Sequence, residues 1–284
     1  MTGRSCVLAL VAIVATACGV TGSGADAGGF RDGKADWPGG DGDVDAAADL
    51  GEAEDSDLAA DGPTDRDVPG DVQADVDRDA AAVPLEGFGA ISGDCGVLDD
   101  EEWGAASPFF FRSTLDLGDA AFDPALLSAG AQEILAEGTA GGSSGNSEAL
   151  AFDLLHRCEL AELVLSETEV AYTDPDSKRT DILVLLDGRH VAVSVARAYN
   201  YPPTEPCQVE RLRTLLARKL GDAEDAESHA DPANDWDRSI LSVIAYSDQC
   251  AEAVADAYAA IDDETRSDII LMVTVTDGAD EFLY

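Results

Sequence analysis

The sequence predicts an α/β domain with a sheet of mixed direction, carried behind a long acidic tether. Three observations predict it. Large hydrophobic residues are scarce between the N-terminal apolar stretch and Phe88, and abundant after it. Short β-branched and aliphatic runs alternate with stretches of helical period in the second part. Asp187-Gly188 joins two such runs, which is the strongest short-range hairpin signal. About 190 residues from position 95 onward suffice for one good core.

The elements follow in order. Residues 103–127 contain Phe109, Phe110, Phe111, Leu115, Leu117 and Phe122 without clear periodicity, and read as a packed but irregular extension. Residues 141–145 are a Gly/Ser loop with no strand before it, a poor phosphate cradle. Asn146 or Ser147 caps a helix over 147–162, with Leu150, Leu154, Leu155 and Cys158 along one side. A loosely alternating strand over 163–172 ends in the turn Asp174-Pro175-Asp176. Strands over 181–186 and 190–198 form the hairpin. Val209, Leu212, Leu215, Leu216 and Leu220 set a helix over 207–220, and 222–237 reads as a polar loop. A strand over 240–246, an Ala-rich helix over 251–261 and a β-branched strand over 269–276 complete the chain.

Charge limits the possible functions. The 284 residues carry 58 acids and 17 bases, a formal net charge of −41. Residues 1–90 hold −14 of this and residues 91–284 hold −27. Such a chain repels phosphate backbones and anionic lipid surfaces, so broad nucleic-acid binding is not expected. No apolar run reaches the roughly eighteen residues of a membrane-crossing helix. Eight of the domain's bases nevertheless fall between positions 178 and 219. Lys178, Arg179, Arg189 and Arg211 are candidates for holding a small anionic ligand there. The alternative is a set of solvated bases paired with neighbouring acids.

The first eighteen residues have the layout of a secretory signal: Arg4, an apolar stretch from Cys6 to about Ala15, then small residues up to Cys18. Ala15-Thr16-Ala17-Cys18 resembles the bacterial lipoprotein lipobox, with Ala15 where that family prefers Leu. The resemblance implies cleavage before Cys18 and acylation of it. It further implies a lipid-anchored location in the bacterial cell envelope, at the outer membrane or cell surface. Residues 19–87 are rich in Asp, Ala and Gly and cannot bury enough apolar surface to offset chain entropy. A flexible tether of this length reaches about 45 Å. Asp41, Asp43, Asp45, Asp49 and Glu52 fit a calcium-loop spacing, but Ala46 stands where the loop needs Gly. Four cysteines remain outside the signal, Cys95, Cys158, Cys207 and Cys250, with no Cys-x-x-Cys spacing for zinc. In an oxidising compartment they form two disulfides. Three pairings are possible and spacing does not choose; Cys95–Cys158 with Cys207–Cys250 is the working expectation.

Over residues 146–246 the order helix, three strands, helix, strand resembles the PD-(D/E)XK nuclease-like core. In that family a helical Glu, an Asp on the second strand and Glu-x-Lys on the third strand form a metal-dependent phosphodiesterase site. Glu148 and Asp181 match the first two positions. Ser194 and Ala196 occupy the Glu and Lys positions, with Arg197 beside them. The resemblance therefore implies a domain serving binding or structure without catalysis, partnered by an unknown protein or small anionic ligand, and without a cofactor. The alternative it implies is an extracytoplasmic Mg²⁺-dependent nuclease with displaced groups, with Glu210, Arg211 and Lys219 as the nearby candidates and Asp181 as the weak metal ligand. A Ser194–His190 pairing cannot support nucleophilic catalysis, because i and i+4 on a strand lie about 13 Å apart.

Overall fold

The computed structural model describes residues 83–139, 144–200 and 205–283. The signal, Cys18, the calcium-loop spacing and nearly all of the tether lie outside the described residues. Among the described residues no helix is long and apolar enough to cross a membrane.

The described residues form seven strands and six α-helices. They are β1 (Ala90–Gly93), α1 (Asp100–Gly104), β2 (Phe109–Asp116), α2 (Ala129–Glu137), α3 (Gly145–Glu159) and β3 (Glu162–Ser166). There follow β4 (Ile182–Leu186), β5 (Arg189–Ala198), α4 (Val209–His229), β6 (Arg238–Ala245), α5 (Asp248–Ala259), α6 (Asp263–Arg266) and β7 (Ile270–Val275). The strands form one sheet in the order β1-β2-β7-β6-β5-β4-β3. β3, β4 and β5 are an antiparallel meander, β5, β6, β7 and β2 run parallel, and β1 pairs antiparallel with β2. The mixed α/β class is thus as expected.

Strand alternation sorts the core into two faces. Ile182, Val184, Val191, Val193, Val195, Ile240 and Ile244 pack against Leu150, Phe152, Leu154 and Leu155 of α3. Ala196, Ala198, Leu241, Val243 and Ala245 pack against Leu212, Leu216 and Leu220 of α4 and against α5. The β4–β5 hairpin turns through Asp187 and Gly188, both left-handed, with φ of 50° and 77°. That is the two-residue turn whose twist matches the strands.

Three expectations need correction. The stretch 222–237 is not all loop: α4 runs on to His229, because Ala223 and Ala226 continue the buried stripe of Leu212, Leu216 and Leu220. The extension 103–127 is not irregular, for it holds the end of α1 and the whole of the eight-residue β2, which joins the sheet between β1 and β7. The strand drawn over 163–172 stops at Ser166, whose amide donates to Glu169 Oε2 and whose carbonyl accepts from the Glu169 amide.

Buried ions tie the irregular segments to this frame. Arg157 of α3 is 5 % exposed and donates to the carbonyls of Leu85, Phe88 and Gly89. Glu159 accepts the amides of Gly96, Val97 and Leu98. Arg238 of β6 donates to the carbonyls of Glu102, Ala105, Ser107 and Asp268. Each satisfies backbone groups that a loop would otherwise leave unpaired. Cys95 is bonded to Cys158, and Cys207 to Cys250, the pairing taken as the working expectation. Two disulfides are compatible with an oxidising, extracytoplasmic compartment.

Candidate functional site

A cavity of about 390 Å³ opens where α3, the end of β3, the start of β4, the end of β5 and α4 meet. Glu148, Glu167, Asp181 and Lys219 line it, with Ser147, Ala196 and Arg197. Asp181 is placed by the residue before it. Thr180 is buried and its hydroxyl donates to the Val193 carbonyl, while the Asp181 amide donates to the same carbonyl. This registers Asp181 at the mouth of β4, beside β5. The Asp181 carboxylate then accepts the Val195 amide at 2.5 Å, and Lys219 Nζ lies 3.8 Å from the same oxygen. Lys219 reaches it from α4, one residue before the buried Leu220.

Glu148 lies in the first turn of α3 and is 2 % exposed. Burial pushes its carboxyl up to about 7; Asp181 and Glu167 push the same way, and a hydrogen bond from Ser144 and the Lys219 charge oppose them. Burial also raises Asp181, against the pull of Lys219 and the Val195 amide. Two desolvated acids facing one ammonium across a cavity are an unfavourable arrangement for stability alone.

The donor set fits a divalent cation. Carboxylates are the hard oxygen ligands that Mg²⁺ or Mn²⁺ takes, and Mg²⁺ commonly uses one or two of them, with water and phosphate oxygens completing the shell. Glu148 and Asp181 meet that requirement. The buried hydroxyl of Ser147 lines the same cavity and has no hydrogen-bond partner in the structure, which fits a hydrated group filling it. Among the described residues no three of His, Cys, Asp and Glu converge as a closed metal cage. The site thus suits an ion shared with a phosphate better than a permanently held one.

The remaining sequence candidates are distributed more widely. Ser194 is buried and does not line the cavity. Arg197 does line it, donates to the carbonyl of Leu283 and stands over the Tyr199 ring at 5.8 Å. The four anion candidates do not converge. Lys178 pairs with Asp222 at 3.5 Å, Arg179 lies over the Tyr172 ring, and Arg189 stands over Trp103 at the far end of β5, 3.9 Å from Asp100. Arg211 alone reaches a cavity, the one next to that of Asp181. Arg213 pairs with Glu210, and Arg218 with Asp222. The cluster of bases in sequence therefore separates largely into local ion pairs. Glu167 was not expected at the site because the strand was expected to run through it; the turn that Ser166 and Glu169 close places it at the cavity. Another depression, of about 650 Å³, lies elsewhere among Glu224, Glu227, Asp263, Glu264 and Asp268. It offers no base, and acids alone do not define a site.

No family model matches the chain. The AAC-rich mRNA clone AAC4 protein of Dictyostelium discoideum is 34 % identical over 166 residues, covering 56 % of this chain and 24 % of that protein. The chain thus spans about a quarter of that relative's length. Among solved structures, SfsA of Pyrococcus furiosus in complex with Ca²⁺ is similar at 16 % identity and a TM-score of 0.21, over 48 % of this chain and 58 % of that one. A likeness at that level is too slight to bear on fold or function.

Proposed function

We propose that the folded domain is a nuclease-like, metal-dependent phosphodiesterase with a displaced lysine, exported and held to the bacterial envelope by a lipid on Cys18. The observation that carries the catalytic part is the Lys219–Asp181 pair at 3.8 Å in a cavity that Glu148 also lines. In the nuclease-like pattern the lysine comes from the third strand. Here Ala196 stands at that position and lines the same cavity, and an ammonium from α4 reaches the same carboxylate. Asp181 and Glu148 would hold the cation, which when bound supplies positive charge at the phosphate and lowers the pKa of a water. Lys219 would hold positive charge in the same cavity, beside Asp181. The Val195 amide fixes one Asp181 oxygen and orients the carboxylate.

Cleavage of single-stranded circular DNA and supercoiled plasmid, with Mg²⁺ or Mn²⁺ and with EDTA, tests this reading. Metal-dependent cleavage that Asp181→Asn abolishes is the expected result. Cleavage surviving Asp181→Asn would contradict it. The lipobox-like Ala15-Thr16-Ala17-Cys18 and the two disulfides support the envelope location. Fatty-acid label that disappears in Cys18→Ala is expected; label that persists would contradict the anchor. A second reading, a binding domain without catalysis, rests on Ser194 and Ala196 standing where the nuclease-like pattern has Glu and Lys.

A further inference from the structure

The Asp181 cavity continues into a second one of about 380 Å³, and the two share Arg197, Tyr199 and Leu215. Among the described residues no carboxylate lines the second cavity, in a protein of net charge −41. Arg197 and Arg211 supply its charge, from β5 and α4. Arg211 is held in place by Asn200, whose Oδ1 accepts from Nη1 at 3.2 Å; that bond uses one of the five guanidinium N–H donors. Tyr199 is 43 % exposed at the junction between the two cavities. The rim is built before any ligand arrives. Cys207 lines the pocket and is bonded to Cys250 of α5, and Gln249 accepts the Cys207 amide.

Guanidinium groups recognise phosphate oxygens in pairs, and an exposed aromatic face takes an unstacked base. The cavity lies within the roughly 300–1,000 Å³ range of small-ligand sites, a size for one nucleotide rather than a duplex. A domain carrying −27 repels the dense charge of a duplex. We infer that this pocket holds the nucleotide adjoining the scissile phosphate of a single-stranded polynucleotide, with its phosphate on Arg211 and Arg197 and its base on Tyr199. The inference rests on the phosphodiesterase reading of the neighbouring cavity for the word scissile, but binding can be read without cleavage.

The test is fluorescence anisotropy of labelled ten-nucleotide strands, oligo(dT) and oligo(rU), with the oxidised full-length chain in EDTA. At least one strand binds, and a hairpin duplex of equal length binds more weakly. Tyr199→Ala and Arg211→Ala each weaken binding by about tenfold, the effect of losing one stack or one phosphate contact. Arg211→Ala also lowers the slope of log affinity against log salt by about 0.7. Comparing oligo(dT) with oligo(rU) identifies the sugar. Binding that depends on Tyr199 and Arg211 without cleavage in any metal keeps the pocket and removes the phosphodiesterase reading. Cleavage with binding indifferent to both substitutions overturns the pocket and keeps that reading. No binding of either strand, or equal binding of the duplex, also overturns the pocket.

Discussion

Glu148 is the residue where the chemistry and the stability of this domain meet. It is nearly fully buried, and its carboxyl sits at about 7 against an ordinary 4.5. Below about pH 4.5 the group is protonated in both folded and unfolded chains and costs nothing. As pH rises toward 7 the unfolded chain ionises while the folded carboxyl stays protonated, so stability falls; above 7 the loss is complete. At most it amounts to about 3 kcal/mol. Glu148→Gln keeps the shape and removes the titration. Thermal denaturation at pH 5 and pH 8 should show the variant gaining on the wild type at the higher pH. An equal difference at both pH values would contradict this account. The residue pattern around it was half legible. Glu148 and Asp181 stand at the positions their local sequence suggested. Lys219 was one of three candidates on its helix, because helical spacing alone cannot say which turn of α4 lies over β4. Glu167 was missed, since nothing in a run of Ser, Glu and Thr marks where a strand gives way to a turn.

At the scale of elements, a hairpin with a turn signal and short apolar runs between polar segments were readable. The β4–β5 hairpin follows from Asp187-Gly188, and β6 and β7 from short β-branched runs between polar segments. β2 was not readable, for two reasons. Phe109, Phe110 and Phe111 are half-buried or buried on both faces, so the period-2 signal is absent. Its partner β7 lies far along the chain; Ser113 and Thr274, 161 residues apart, meet through their hydroxyls. The segment that brings β1 and β2 to the sheet is held by buried ions rather than by periodicity. Arg157 also lies 3.6 Å from the fully buried Asp153. Arg157→Met would leave that carboxylate and three carbonyls without their cation. A loss of about 3–5 kcal/mol is expected, read from denaturant midpoints. A loss below about 1 kcal/mol would mean that the segment docks through its apolar contacts alone.

For the whole molecule, the net charge of −41 acts as a filter on ligands. Among the described residues Lys178, Arg213 and Arg218 are paired with neighbouring acids, whereas the pocket beside Asp181 presents Arg197 and Arg211 with no carboxylate among its described lining residues. The sheet places that pocket and the acidic cavity side by side, joined at the end of β5. This is the arrangement a phosphodiester needs: charge to hold the backbone on one side, carboxylates to hold a cation on the other. The central claim is that Lys219 takes the role the third strand leaves empty at Ala196. It is tested most directly by measuring Mn²⁺-dependent cleavage in Lys219→Met and in the double variant Lys219→Met/Ala196→Lys, with melting curves showing that both are folded. The account predicts loss of cleavage in the single variant and its return in the double variant. Cleavage by Lys219→Met at the wild-type rate would contradict it.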